Sequence, residues 1–204
     1  MRPLDYFSEM CYIFTTMKKI VLLISLFAGM GAALFAQEAV TNESGAYNVG
    51  DTGPAGGIIF FDKGSISDDW RYLEAAPAET EFTAEWGAFN RDIQGTGTAV
   101  GSGKNNTRII VDMLKQFKEN NRAAEICTGL NINDFTDWFI PSKDELDLIY
   151  KNLKQKGLGG FKNNWYWSSS QRINTSAWSQ RFNDGHQDYH TKNITRSVRA
   201  VRAF

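Results

Sequence analysis

Cysteine is almost missing from these 204 residues: Cys11 and Cys127 are the two present. Cys11 falls in a segment read below as removed on export, so Cys127 stands alone in the mature chain. That excludes an intramolecular disulfide and any paired-thiol or Cys-rich metal site. No cysteine follows the apolar run near the N-terminus, so a lipid-modified terminal cysteine is excluded too. Histidine is equally scarce, with His186 and His190 alone. On a helix their spacing would put both on one face, but Asp-Gly-His-Gln-Asp-Tyr-His reads as turn and strand, and no metal is expected. Ser168, Ser169 and Ser170 lack the Gly-x-Ser-x-Gly elbow of a hydrolase nucleophile. The Gly-rich stretch 95 to 104 is no phosphate loop: Thr98 stands where its first Gly belongs, and Asn105 follows Lys104 where Ser or Thr is needed. No catalytic residue, metal or cofactor is therefore assigned, and the expectation is a protein that is not an enzyme.

What is present begins with a targeting pattern. Met17-Lys18-Lys19 precedes an apolar run from Ile20 to Phe35, and the small residue Ala36 comes before Gln37-Glu38. A positive end, an apolar middle short for a membrane span and a small residue at the cut describe a secretory signal. The expected organisation is an upstream extension plus signal peptide over 1–36, with Met17 as the true start, a linker over 37–47 and one domain over 48–204. Net charge is −1 and 42% of residues are hydrophobic, enough for a single packed core. The expected location is outside the cytoplasm, in the periplasm, at the surface or secreted, with no membrane span after cleavage.

Along the mature chain, Ile58 to Phe61 is a strand-length apolar run after turn-forming Gly and Pro, and Trp70 to Ala75 alternates as a half-buried strand does. Residues 78 to 104 read as a long ordered loop. Ile110, Met113, Leu114 and Phe117 recur at helical spacing after a cap at Asn105 or Asn106. Ala123, Ile126, Cys127 and Leu130 repeat it, which makes Cys127 a structural thiol. At 137 to 146, Asp-Trp-Phe-Ile-Pro-Ser-Lys-Asp-Glu-Leu turns an aromatic run into a capped helix: Ser142 and Glu145 are spaced for a capping box, and Leu146, Ile149, Tyr150 and Leu153 form its apolar stripe. From Trp165 the chain is strand-like, with Asn183-Asp184-Gly185 as a hairpin turn.

Three pieces of this sequence resemble one family: Gly-Gly-Ile-Ile-Phe-Phe, Asp-Trp-Phe-Ile-Pro-Ser-Lys-Asp-Glu-Leu, and the terminal Val-Arg-Ala-Val-Arg-Ala-Phe. The chain is similar to the Lcl C-terminal domain family of exported bacterial proteins, across 48 to 204. The resemblance implies an α+β, C-type lectin-like fold, distantly like the formylglycine-generating enzymes. It would have two main helices on small antiparallel sheets, adjacent N- and C-terminal strands, long ordered loops, and a binding surface before the last strand. Formylglycine chemistry needs two cysteines, which the mature chain lacks. The lectin calcium signatures are missing, and Asn183-Asp184 is a partial echo in which several more oxygens would be required.

The segment from Gln171 to Ser197 turns polar, aromatic and basic. Arg172, Trp178, Arg181, His186, Asp188, Tyr189, His190, Lys192 and Arg196 are the candidate ligand-binding residues, with Arg199 and Arg202 extending the positive side. Arginine forks suit oxyanions and rings stack on sugars, so a sulfated or acidic glycan, or a host or environmental surface molecule, is the expected ligand. The alternatives are a structural or envelope-associated module without a specific ligand and, third, an uncharacterised enzyme. No nucleic acid partner is expected. Some family members resemble targets of diversity-generating retroelements, in which template adenines are replaced at random. Arg172, Ile173, Thr175, Ser176, His186, Asp188, Tyr189, His190, Thr191, Ile194, Thr195, Arg196 and Ser197 are reachable from an asparagine codon by that route, whereas Gln171, Trp178, Gln180, Gln187 and Lys192 are not.

Overall fold

The apolar run after Gly57 opens β1 (Ile58–Ser67), which pairs antiparallel with β2 (Trp70–Ala75). Gly57 is required there, since a Cβ would lie 2.0 Å from the carbonyl oxygen of Ala75. The structure, a computed structural model, describes residues 45–204. The export signal, the Met17 start and most of the linker expected over 37–47 lie outside the described residues.

β3 (Phe82–Glu85) follows, then α1 (Gly103–Phe117), α2 (Ala123–Thr128) and α3 (Lys143–Asn152). The chain closes with β4 (Trp165–Ile173), β5 (Ser176–Arg181), β6 (Gln187–Thr191), β7 (Thr195–Val198) and β8 (Val201–Ala203). Among the described residues the strands form a three-stranded sheet, β1-β2-β8, and a five-stranded sheet, β3-β7-β4-β5-β6. The fold is mixed α+β, with every ladder antiparallel except β4 with β7.

Strand alternation places the five-stranded sheet between two apolar clusters. Trp167, Ala177 and Val198 join Ile110, Leu114 and Cys127 of α1 and α2, together with Trp86 and Trp138. Tyr166 and Phe182 point the other way, to Leu146, Ile149 and Tyr150 of α3 and to Phe60, Leu73 and Val201 of the smaller sheet. Burial pushes the Cys127 thiol far up, as a packed structural thiol requires.

The 137 to 146 corner forms as its residues dictate. Trp138, Phe139 and Ile140 are buried, and Phe139 exchanges both backbone hydrogen bonds with Val201. The Ser142 hydroxyl accepts from the Glu145 N–H, and the Glu145 carboxylate accepts from the Ser142 N–H at 2.6 Å, a complete capping box. Glu145 also accepts from the Gly101 N–H at 2.7 Å, so one buried carboxylate serves the starts of both α3 and α1. Burial raises its affinity for a proton, and these backbone donors oppose that.

Four expectations need correction. The first and last strands are not neighbours: β8 pairs with β2, because the β1–β2 hairpin leaves the far edge of β2 open. The stretch 78 to 104 is not all loop, since Phe82 to Glu85 finds a partner 110 to 116 residues along, opposite Val198 to Thr195. Neither Asn105 nor Asn106 caps α1; Ser102 precedes the helix, and the buried Asn106 side chain instead clamps Gly97 through both its N–H and its C=O. Arg199 and Arg202 do not extend a positive surface. Arg199 is buried against Glu81 at 2.9 Å, and Arg202 lies between Glu74 at 3.3 Å and Asp137 at 2.8 Å.

Candidate functional site

The antiparallel ribbon of β5 and β6 forms one edge of the larger sheet, and its register sorts the candidate residues. Trp178 lies opposite Tyr189, Ser179 opposite Asp188 and Ala177 opposite His190. Since successive side chains alternate, Trp178 and Tyr189 share one face while Asp188 and His190 share the other. The nine candidates therefore do not make one surface.

On the face of Asp188 and His190, Trp165 of β4 lies opposite Arg181 of β5, and the parallel β4–β7 bridge at Tyr166 and Ser197 sets Arg196 beside it. The Trp165 ring meets His190 edge-on at 4.4 Å and His186 at 6.2 Å between centroids. The Arg181 and Arg196 guanidiniums stand 5.4 and 5.9 Å from the Trp165 ring. Arg181 is held by Asp184, its Nε donating to Oδ1 at 3.0 Å, and this pairing depresses the Asp184 pKa. Arg196 differs: its side chain has no hydrogen-bond or ion-pair partner among the described residues, and its buried Nε is left unsatisfied. The half-buried His190 ring shares a hydrogen bond between Nδ1 and the Ser179 hydroxyl at 2.8 Å. Burial, and then the charge of Arg196, hold its pKa below the usual histidine range.

On the face of Trp178 and Tyr189, Tyr189 is 49% exposed and stacks edge-on with Trp178 at 5.8 Å. Arg172 lies over the Tyr189 ring at 5.5 Å and Lys143, from the start of α3, over Trp178 at 5.0 Å. The ribbon is anchored here by Gln180, which donates to Asp147 at 2.9 Å, and by Gln187, which donates to the Lys143 carbonyl at 3.0 Å.

Lys192 belongs to neither face and, contrary to expectation, is not a surface residue. It is fully buried, its ammonium donating to Gln171 Oε1 at 2.6 Å and to the Arg91 carbonyl at 3.0 Å, with the Trp86 ring 4.6 Å away. The chain folds inward there because Thr175 accepts the Lys192 backbone N–H. Asp184 is engaged by Arg181 rather than open to a cation, and among the described residues no group of three or more His, Cys, Asp or Glu side chains is placed to hold a metal.

Sequence reasoning missed Trp165, Ser179 and Lys143. The Trp165-Tyr166-Trp167 alternation was a usable signal for two tryptophans on one face, but nothing local announces the parallel pairing that brings Arg196 alongside. It also missed a cleft of about 790 Å³ between α1 and the β1–β2 turn, lined by Trp70, Lys104, Arg108, Val111, Asp137 and Phe139 among others. Two of its carboxylates are engaged: Asp137 forks onto Arg202, and Glu145 holds the helix starts.

Comparison with known proteins adds the following. No curated protein sequence matches the chain. Among solved structures, a fimbrial protein from Bacteroides ovatus ATCC 8483 aligns at 17% identity with a TM-score of 0.46, covering 67% of this chain and 36% of that one. The chain thus spans about a third of that protein's length, and so distant a likeness carries no argument. Among the described residues no helix is long and apolar enough to cross a membrane. The family model of the Lcl C-terminal domain matches residues 77–202, from just after β2 through the whole larger sheet and into β8. The chain belongs to the Lcl C-terminal domain family.

Proposed function

We propose that this protein is an exported, non-catalytic recognition module with a C-type lectin-like arrangement, binding an anionic glycan or an anionic surface molecule through the β4–β5–β6 end of its larger sheet. One observation carries the reading: Arg196 lies against Trp165 with no anion of its own, beside two histidines and a second arginine. An arginine that is half-buried and unpaired costs stability, and a ligand oxyanion would satisfy it with charge-assisted hydrogen bonds while a sugar ring covers the indole. The non-catalytic reading is supported by the state of the carboxylates, since the buried side chains of Glu74, Glu81 and Glu145 and the partly exposed Asp137 are all taken by arginines or backbone N–H groups.

The purified protein should bind sulfated members of a glycan panel more tightly than neutral ones, and the binding should weaken as salt rises. Replacing Arg181 and Arg196 together by Gln should abolish the preference. Retention of the full preference in that double variant, or no binding to any panel member, would leave the structural, envelope-associated module as the better account.

A second reading concerns variation. Gln171, Gln180 and Lys192, unreachable by adenine replacement from an asparagine codon, all bond inward, and Gln180 and Lys192 are fully buried. Of the reachable residues, Arg172, His186, Tyr189 and Thr191 are exposed, while Ser176 and Ser197 are buried. This favours a segment rewritten on its surface while its supports stay constant. The test is the neighbouring DNA, where a near-copy of this segment should differ mainly at adenines; its absence sinks the idea.

A further inference from the structure

We propose that the Trp165 niche binds a ligand oxyanion by taking up a proton on His190, so that recognition strengthens in acid. This rests on the reading of that face as the ligand surface and adds its regulation.

His190 projects from β6 onto Trp165, with Nδ1 occupied by the Ser179 hydroxyl at 2.8 Å and the ring edge-on to the indole at 4.4 Å. One nitrogen is thus taken by a neutral partner that can donate or accept, leaving Nε2 as the atom able to gain a proton and offer it to a ligand. Charged and titratable groups reach the niche from each strand around it. From β7 comes Arg196, whose charge already opposes a proton on His190. From β5 comes Arg181, tied to Asp184 of the turn, and the turn also supplies His186, its ring 6.2 Å from that of Trp165. From β6 comes Asp188, whose charge favours the proton but whose Oδ1 is engaged by the Tyr189 N–H at 2.8 Å. On β3 the nearest carboxylate in register is Glu85, opposite Thr195, and it pairs with Arg122 at 3.4 Å. β4 contributes Trp165 itself, which is neutral.

Empty, the niche therefore opposes a second cation: a proton on His190 would sit by an unneutralised guanidinium in a partly desolvated site. An oxyanion on Arg196 reverses that balance, because it screens the guanidinium and adds an attractive charge. By linkage, if the anion favours the proton, the proton favours the anion by the same factor. Neither Arg172 nor Tyr189 shares this behaviour, since both lie on the opposite face.

The probe is sucrose octasulfate, with unsulfated sucrose as control, titrated into the full chain between pH 5 and 8. Affinity should rise as the pH falls, by up to about tenfold per unit for one coupled proton. The NMR titration of the His190 ring, distinguished from His186 by a His186→Gln assignment variant, should shift upward on saturation. His190→Gln should bind with a flatter pH profile and meet the wild type at high pH. A His190 titration unmoved by saturating probe, or an undiminished pH profile in His190→Gln, overturns the proton coupling while leaving the ligand surface intact. No binding at any pH overturns the ligand surface and the coupling with it.

Discussion

Lys192 shows how a single residue can reverse its expected role. In the sequence it is one cation in a basic loop; in the fold its aliphatic stem is enclosed and its ammonium has carbonyl and amide oxygens but no carboxylate within ion-pair distance. Burial pushes its pKa down from 10.5 to about 8. The folded state therefore releases this proton first, while the unfolded chain keeps it until about pH 10.4. Below pH 8 both states carry the charge and the cost of burying it is fully felt; as the pH rises from 8 towards 10.5 that cost is relieved, so the native state gains. The expected outcome is a stability difference between wild type and Lys192→Met that moves in favour of wild type over this window, by on the order of 2 kcal/mol. Urea unfolding at pH 7.5 and pH 10 measures it, and a constant difference would mean that the three oxygens hold the charge as well as water does.

At the scale of elements, the best-marked stretch of the chain proves to be a structural joint. Ser142 closes the α3 cap and also donates to the Ala99 carbonyl at 2.9 Å, so it ties the helix to the loop ahead of α1. The neighbouring serines of β4 complete the joint: Lys143 N–H donates to the Ser170 hydroxyl at 3.0 Å, and Ser169 N–H to the Pro141 carbonyl at 2.8 Å. A run of three serines in a strand looks like a polar surface or a failed nucleophile, yet all three are buried and bonded. Ser142→Ala should cost about 1 kcal/mol, read as a lowered urea midpoint with unchanged slope. Ligand binding at the Trp165 niche should be untouched at temperatures where the variant is folded; selective loss of binding would mean that the corner takes part in recognition.

The whole molecule is held across its two sheets by buried charge. Arg202 on β8 joins Glu74 of β2 to Asp137 of the corner, and Arg199 joins Glu81 to the Ala76 and Gly159 carbonyls. The Glu74 carboxylate also accepts from the Gly57 N–H at 2.7 Å, so β1, β2, β8 and the α3 corner share one polar network. Removing one member strands the others, so Arg202→Ala should lose about 3–5 kcal/mol, far more than loss of an exposed, unpaired arginine. Thermal unfolding compares it directly with Arg172→Ala, which should change stability by less than about 1 kcal/mol. Equal effects would mean that the Arg202 pairs do not hold β8 to β2 and to the corner.

The parts of the fold legible in the chain are those set by neighbours in sequence. The capping box needs residues three apart, the apolar stripe of α3 needs the helical period, and the β1–β2 and β5–β6 hairpins need a turn between alternating runs; each is a local interaction that the chain carries wherever it goes. Tertiary structure alone decided what depends on pairing between distant segments. β3 becomes a strand because β7 offers it an edge, β8 settles on β2 rather than β1, and Arg196 reaches Trp165 through a parallel bridge 31 residues apart in the chain. The same holds for charge. Composition counts Lys192, Arg199 and Arg202 as one basic surface with Arg181 and Arg196, but only the folded chain shows which cations are enclosed with partners and which one is left with none, since burial is a property of the packed whole and not of the residue.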